Sequence, residues 1–216
     1  MSSKIEKIVY FVKHPKLFKR LVSMGFDGYF KDIGWIDSYI RRIPIDKDGN
    51  PLPWVTYSFI DFISDRLNRR MKVFEFGSGN STLWYAAYVD HVYSVEHDYK
   101  WYKNLKGELP ENVSLFHCDL EYDGAYSKFI KRFDQRFDIV IVDGRDRLNC
   151  IRNAVDTLKE DGVIVLDDSE RECYGSGVDR LAETGFKRLD FWGISPGLFY
   201  KKCTTVFYKE KNCLGI

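Results

Sequence analysis

Five places in the chain set side chains able to do chemistry at the end of a short apolar run. Glu75, Gly77, Ser78, Gly79 and Ser81 follow Val73 and Phe74 and lead into a helical pattern. Glycines at such a turn let the backbone come close to a ligand, and a helix start offers free N–H groups to it. Glu96 and His97 close the run that begins at Val92, and Asp119 follows Val113–Phe116. A carboxylate in the place of Glu96 has lone pairs enough to accept from two donors at once. Asp143 ends Phe137–Val142, and Asp167, Asp168 and Ser169 end Val163–Leu166. Two acids on adjacent strand ends suit a general base or a hard divalent cation such as magnesium, for which Asp143 and Asp168 are the candidates. The glycine segment fails as a dinucleotide fingerprint, because Thr82 stands where G-x-G-x-x-G needs its last glycine.

The elements that must position these residues follow from periodicity. From residue 71 onward, short apolar runs alternate with helical spacing, the pattern of an α/β fold around a mostly parallel sheet. Strands are expected at 73–76, 92–95, 113–116, 137–142 and 163–166, with Gly162 opening the last. Leu148, Ile151, Ala154, Val155 and Leu158 mark a crossover helix. A further helix fits 178–183. Residues 186–192 and 204–208 read as two strands with no helix between them, hence a terminal antiparallel pair. The first 70 residues differ, with helices expected at 4–12, 15–24, 29–41 and 56–67 and turn chemistry at 45–54. The expected organisation is a helical extension over 1–70, whose Trp35, Tyr39, Trp54 and Tyr57 either close over the site as a lid or pack the extension onto the sheet, and a ligand-binding domain over 71–216.

Composition narrows the classes. The chain has 216 residues, 44% hydrophobic and 30% charged, which suits one globular domain with a sizeable core and excludes disorder and fibrous repeats. A formal net charge of +1 gives no global field toward nucleic acid, so no nucleic-acid partner is expected. No apolar run approaches the ~20 residues of a membrane span, and Lys13, His14 and Pro15 cut short any signal-like stretch. Five scattered cysteines without a C-x-x-C pair point to reduced thiols, and a cytoplasmic location is expected. Asp46 and Asp48, spelling D-x-D, read as a turn with Gly49 and Asn50. The basic start, with Lys4, Lys7, Lys13, Lys16, Lys19 and Arg20, leaves room for contact with a membrane surface.

The glycine segment, with Glu75 ahead of it and only Ser81 departing from acid-x-Gly-x-Gly-x-Gly, resembles the class I S-adenosylmethionine-dependent methyltransferases. Glu96, Asp119 and the terminal strand pair are similar to that family's landmarks as well. The resemblance covers residues 71–209. It implies a Rossmann-like, seven-stranded, mostly parallel sheet with a C-terminal antiparallel pair. It also implies S-adenosylmethionine as cofactor, held by Glu75, Gly77, Ser78, Gly79, Ser81, Glu96, His97 and Asp119. Asp143 and Asp168 match the acids of the catechol-O-methyltransferase-like branch, whose metal ligand asparagine is replaced by Ser169 and whose lysine base is replaced by Asp146. The expected activity is methyl transfer to a small-molecule acceptor, with oxygen favoured. Two alternatives stand beside it: a non-catalytic adenosylmethionine-binding partner protein, and an NAD-dependent oxidoreductase.

Overall fold

Alternation within the strands divides the apolar residues between two faces of one sheet. Val73, Ile139, Ile141, Val163, Val165 and Val206 enter one buried cluster, and Phe74, Phe76, Val140, Val142, Ile164 and Phe207 enter the other. Strands buried on both faces must be covered by helices on both, which is what the intervening periodic segments supply. The computed structural model describes residues 4–107 and 109–216. In chain order the elements are α1 (Lys4–Lys13), α2 (Pro15–Ser23), α3 (Tyr29–Asp32), α4 (Trp35–Arg41), α5 (Tyr57–Ser64), β1 (Lys72–Phe76), α6 (Asn80–Tyr88) and β2 (His91–Glu96). They continue with α7 (Tyr99–Lys106), β3 (Val113–His117), β4 (Phe137–Val142), α8 (Arg147–Val155), β5 (Leu158–Asp167), α9 (Gly175–Glu183), β6 (Lys187–Gly193) and β7 (Lys202–Tyr208).

The sheet order is β3-β2-β1-β4-β5-β7-β6. Neighbours from β3 through β5 run parallel, while β7 is antiparallel to both β5 and β6. Chain order reverses between β1 and β4, and ligands in open α/β sheets collect at the carboxyl ends flanking that point. Among the described residues, no helix is long and apolar enough to cross a membrane.

Two elements depart from the periodic reading. The helix expected over 29–41 is broken at Gly34, whose φ is +77° and whose Cβ, if it had one, would lie 2.4 Å from the Asp46 carbonyl carbon. Strand β5 begins at Leu158, ahead of Val163, because Phe137 pairs with Leu158 before the register jumps to Ile139 with Val163. Gly162 thus sits inside a bulged strand, where a Cβ would come within 2.9 Å of the Phe137 carbonyl oxygen.

Residues 4–70 contain two kinds of segment. Helices α1 and α2 bury no residue. From α4 onward the chain is fastened to the domain: Trp35, Val55 and Tyr57 lie in the first buried cluster, and the Trp35 indole donates to the Leu198 carbonyl at 3.0 Å. Asp46 and Asp48 form the expected turn, with the Asp46 carboxylate accepting the backbone N–H of Asp48 and of Asn50, each at 2.8 Å.

Candidate active site

The glycine loop is built on close backbone approach. Gly77 adopts φ +104°, and a Cβ there would lie 3.3 Å from the Cα of Gly144, on the loop after β4. Gly144 is tighter still, since a Cβ would meet the Tyr126 hydroxyl at 2.1 Å and the Phe76 carbonyl oxygen at 2.9 Å. Gly79 is not confined in this way: the nearest atom to a Cβ would be in the Trp101 ring, at 3.8 Å. Its lack of a side chain therefore leaves open space above the loop.

Glu75 lies under the loop and is 1% exposed. Its carboxylate accepts the Ser81 hydroxyl and, at 2.5 Å, the Thr82 hydroxyl, and Thr82 Oγ1 in turn accepts the Gly79 N–H at 3.0 Å. Thr82, the residue that spoils the dinucleotide fingerprint, thus ties the loop to Glu75. Burial pushes the Glu75 carboxyl up to about 7, against the pull of the two hydroxyls.

Glu96, at the end of β2, is also buried. Its Oε1 accepts the backbone N–H groups of His97 and Asp98, both at 2.8 Å, and its Oε2 accepts the Ser78 hydroxyl at 2.9 Å. A carboxylate has about four acceptor sites, so a ligand hydroxyl would complete the set or displace Ser78. Trp101 donates from its indole to the Ser78 carbonyl at 2.9 Å and overhangs the loop, half exposed. His97 sets its ring Nδ1 2.8 Å from the same Glu96 Oε1 and its ring edge-on to Tyr126. Asp119 projects into solvent, its side chain 94% exposed and 3.6 Å from the His117 ring.

Beyond the loop stand three acids and the cations that neutralise them. Lys202, at the start of β7 and 3% exposed, places its ammonium 2.5 Å from Asp167 Oδ2 and 2.9 Å from Asp168 Oδ1. Arg147, in the first turn of α8, lies 3.0 Å from Asp143 Oδ1 and 3.5 Å from Asp168 Oδ2, while Arg171 reaches the same Asp168 oxygen at 2.6 Å. Burial opposes the charge on Asp168, but Lys202, Arg147 and Arg171 outweigh it and hold the carboxyl below its usual range. Asp143 moves the other way: burial, then the charge of Asp167, pushes it upward against Arg147 and Lys202. Asp168 also takes φ +53°, a left-handed conformation that aspartate tolerates better than most residues.

This donor set does not fit a magnesium ion. The ammonium of Lys202 and the guanidinium groups of Arg147 and Arg171 already occupy both oxygens of Asp168. Ser169 is committed elsewhere, its hydroxyl bonded to the Cys203 carbonyl at 3.2 Å and to Thr205 Oγ1 at 2.7 Å. The Asp146 carboxylate accepts the Asn149 side-chain amide at 2.8 Å and the Asp123 N–H at 2.9 Å. Among the described residues, no group of three or more His, Cys, Asp or Glu side chains is arranged to hold a metal. Lys202 and Arg147 are the site residues that the strand-end reading overlooks. Lys202 shares strand parity with the core residue Val206, and Arg147 lies four residues after Asp143, at the start of α8.

A cleft of about 550 Å³ joins these parts. Ser78, Gly79, Asn80, Ser81 and Trp101 form one end, and Asp143, Asp167, Asp168 and Lys202 form the floor. The opposite wall comes from outside the strand ends: Arg42, Ile43, Pro44 and Trp54 from the N-terminal segment, Leu198 and Tyr200 from the β6–β7 loop. The Trp54 indole donates to the Pro196 carbonyl at 2.9 Å, and Asn80 Nδ2 donates to the Pro44 carbonyl at 2.7 Å, so wall and glycine loop are tied together. Of the four aromatics expected over the acceptor, Trp54 lines this cleft. Trp35 and Tyr57 are buried in the core, and Tyr39 stacks on Trp35.

Residues 74–169, which carry Glu75 through Ser169, match the family described as a methyltransferase domain. No curated protein sequence matches the chain. Among solved structures, a precorrin-6y C5,15-methyltransferase from Geobacter metallireducens aligns at 16% identity over 71% of this chain and 87% of its own, with a TM-score of 0.54. A Streptococcus mutans protein solved in complex with SAH aligns at 13% identity over 68% and 94%, with a TM-score of 0.50. An rRNA methylase from Streptococcus thermophilus aligns at 16% identity over 69% and 93%, also at 0.50. A methyltransferase-domain family thus matches the stretch from Glu75 to Ser169, and these solved structures share the fold around it.

Proposed function

We propose that the protein transfers the methyl group of S-adenosylmethionine to a small acceptor seated between Asp143 and the Trp54–Tyr200 wall, with oxygen the favoured acceptor atom. The observation that carries this reading is the continuity of one cleft from the Ser78–Ser81 loop to Asp143, in a volume that small ligands use. The backbone of Gly77–Ser81 and the carboxylate of Glu96 would hold the cofactor, which supplies an electrophilic methyl group when bound. Trp101 is better placed than His97 to flank a base at that end, and Asp119 would meet a ligand only at its solvent-facing edge.

An alcohol needs help to lose its proton at neutral pH. Asp143, with its raised carboxyl, faces the cleft and is the base in this reading. Asp168 is the anchor for Lys202 rather than a second base, because three cations hold it ionised. Trp54, Tyr200 and Leu198 would exclude water from the reacting atoms and fix the acceptor's orientation. Commitment of Lys202 to Asp167 and Asp168 supports a compact acceptor over a phosphate backbone. A crystal structure with adenosylhomocysteine tests the assignment. Its sulfur is expected to open toward Asp143 and Trp54, and a sulfur facing away from both would overturn it.

A further inference from the structure

Charge and apolar surface are unevenly spread along the chain. Residues 1–24 hold six Lys and Arg against one acid, Glu6, for a net +5, whereas the whole chain is +1, leaving net −4 on the remainder. The same segment carries the largest unburied apolar faces. On α1, Ile5, Ile8, Val9 and Val12 recur at helical spacing and are 73%, 63%, 45% and 74% exposed. On α2, Leu17, Phe18, Leu21 and Val22 form one face, all at least partly exposed, and Lys16, Lys19, Arg20 and Ser23 form the opposite one. The two helices touch through Phe11 and Phe18, with ring centroids 5.5 Å apart. This contact leaves the faces of both helices open.

We infer that α1 and α2 are an amphipathic basic anchor that seats the protein on an anionic lipid bilayer. An apolar stripe backed by Lys and Arg matches the interface between acyl chains and acidic headgroups, with the long basic side chains reaching the phosphates. Both helices are far too short to span a bilayer, so they lie on it. A second copy of this chain is a poorer occupant, since pairing these faces would set +5 against +5. Neither helix buries a residue in the domain, so the anchor engages lipid without disturbing the cleft.

Co-sedimentation of the full chain with vesicles tests this. The protein is expected to pellet with mixed phosphatidylserine–phosphatidylcholine vesicles, to stay in solution with phosphatidylcholine alone, and to be released by salt. Reversing Lys16, Lys19 and Arg20 to Glu should lower partitioning by more than about 100-fold, since losing three basic residues alone removes roughly a factor of five each. The pair Ile8→Asp and Leu21→Asp should lower it at least about 10-fold by removing the apolar insertion. Both variants should keep the parent melting temperature and adenosylhomocysteine affinity. A parent that stays in solution with both vesicle types overturns the inference, as does equal partitioning of parent and variants. A solution dimer that Ile8→Asp and Leu21→Asp dissociates, with no vesicle binding, overturns it in favour of self-association.

Discussion

The ammonium of Lys202 lies 2.9 Å from Asp168 Oδ1, bridging the start of β7 to the end of β5 where a divalent cation would otherwise be needed to hold acids together. Asp167 shares the same ammonium at 2.5 Å and is further fixed by the Thr204 hydroxyl at 2.8 Å. The positive charge at the floor of the cleft is therefore supplied by the chain itself.

Lys202→Met should destabilise the protein by about 3–5 kcal/mol, because it leaves buried carboxylates without their partner. Urea denaturation near neutral pH measures this. Magnesium should leave the melting temperature of the parent unchanged, and EDTA should leave its cofactor affinity unchanged. A magnesium-dependent rise in either quantity would show that the acids bind metal after all.

Glu75 gives a pH signature with a definite sign. Its carboxyl is raised from 4.5 to about 7 by burial, so the folded state holds a proton that the unfolded chain has released. The resulting stabilisation is fully present below pH ~4.5 and is lost as pH rises to about 7, a change on the order of 3 kcal/mol for a shift of this size. Glu75→Gln should flatten the parent's stability profile across that window alone. An unchanged profile in the variant would place the titration elsewhere.

The glycines separate fold from ligand approach. Gly144→Ala should be severely destabilising, since its Cβ would collide with Tyr126 and Phe76. Gly77→Ala combines a left-handed φ with a tight contact and should cost about 1–3 kcal/mol. Gly79→Ala should melt like the parent yet bind cofactor more weakly, because its Cβ enters the space above the loop. Melting curves beside binding isotherms distinguish these cases; a Gly79→Ala protein with parent affinity would show that no ligand approaches there.

Truncation distinguishes the two parts of the N-terminal segment. Removal of residues 1–24 should leave the melting temperature unchanged, since α1 and α2 bury nothing. Removal of residues 1–54 takes away Trp35 and Ile45, 4% and 6% exposed, and should lower it by at least about 10 °C. Equal melting of both truncated chains would contradict the packing.

Much of this architecture is legible in the sequence because parallel strands buried on both faces write themselves as apolar runs, and their carboxyl ends mark Glu75, Glu96, Asp143 and Asp168 directly. What stays hidden depends on distant partners. Lys202 reads as a surface lysine until the sheet brings it to Asp167, 35 residues away in sequence. The break at Gly34 follows from the approach of Asp46, and the early start of β5 from its pairing with Phe137. Such contacts leave no local periodicity. Trp54 is distinguishable from Trp35 only once the β6–β7 loop has chosen which ring to bury and which to leave facing the cleft.

If the glycine loop and Glu96 hold S-adenosylmethionine, isothermal calorimetry should show it with adenosylhomocysteine as the ligand. Saturable binding to the parent is predicted, with NAD giving none, and Glu96→Ala should weaken it by about 1–3 kcal/mol, roughly 5- to 150-fold. Binding of NAD without adenosylhomocysteine, or a Glu96→Ala variant with parent affinity, would rule out this cofactor site.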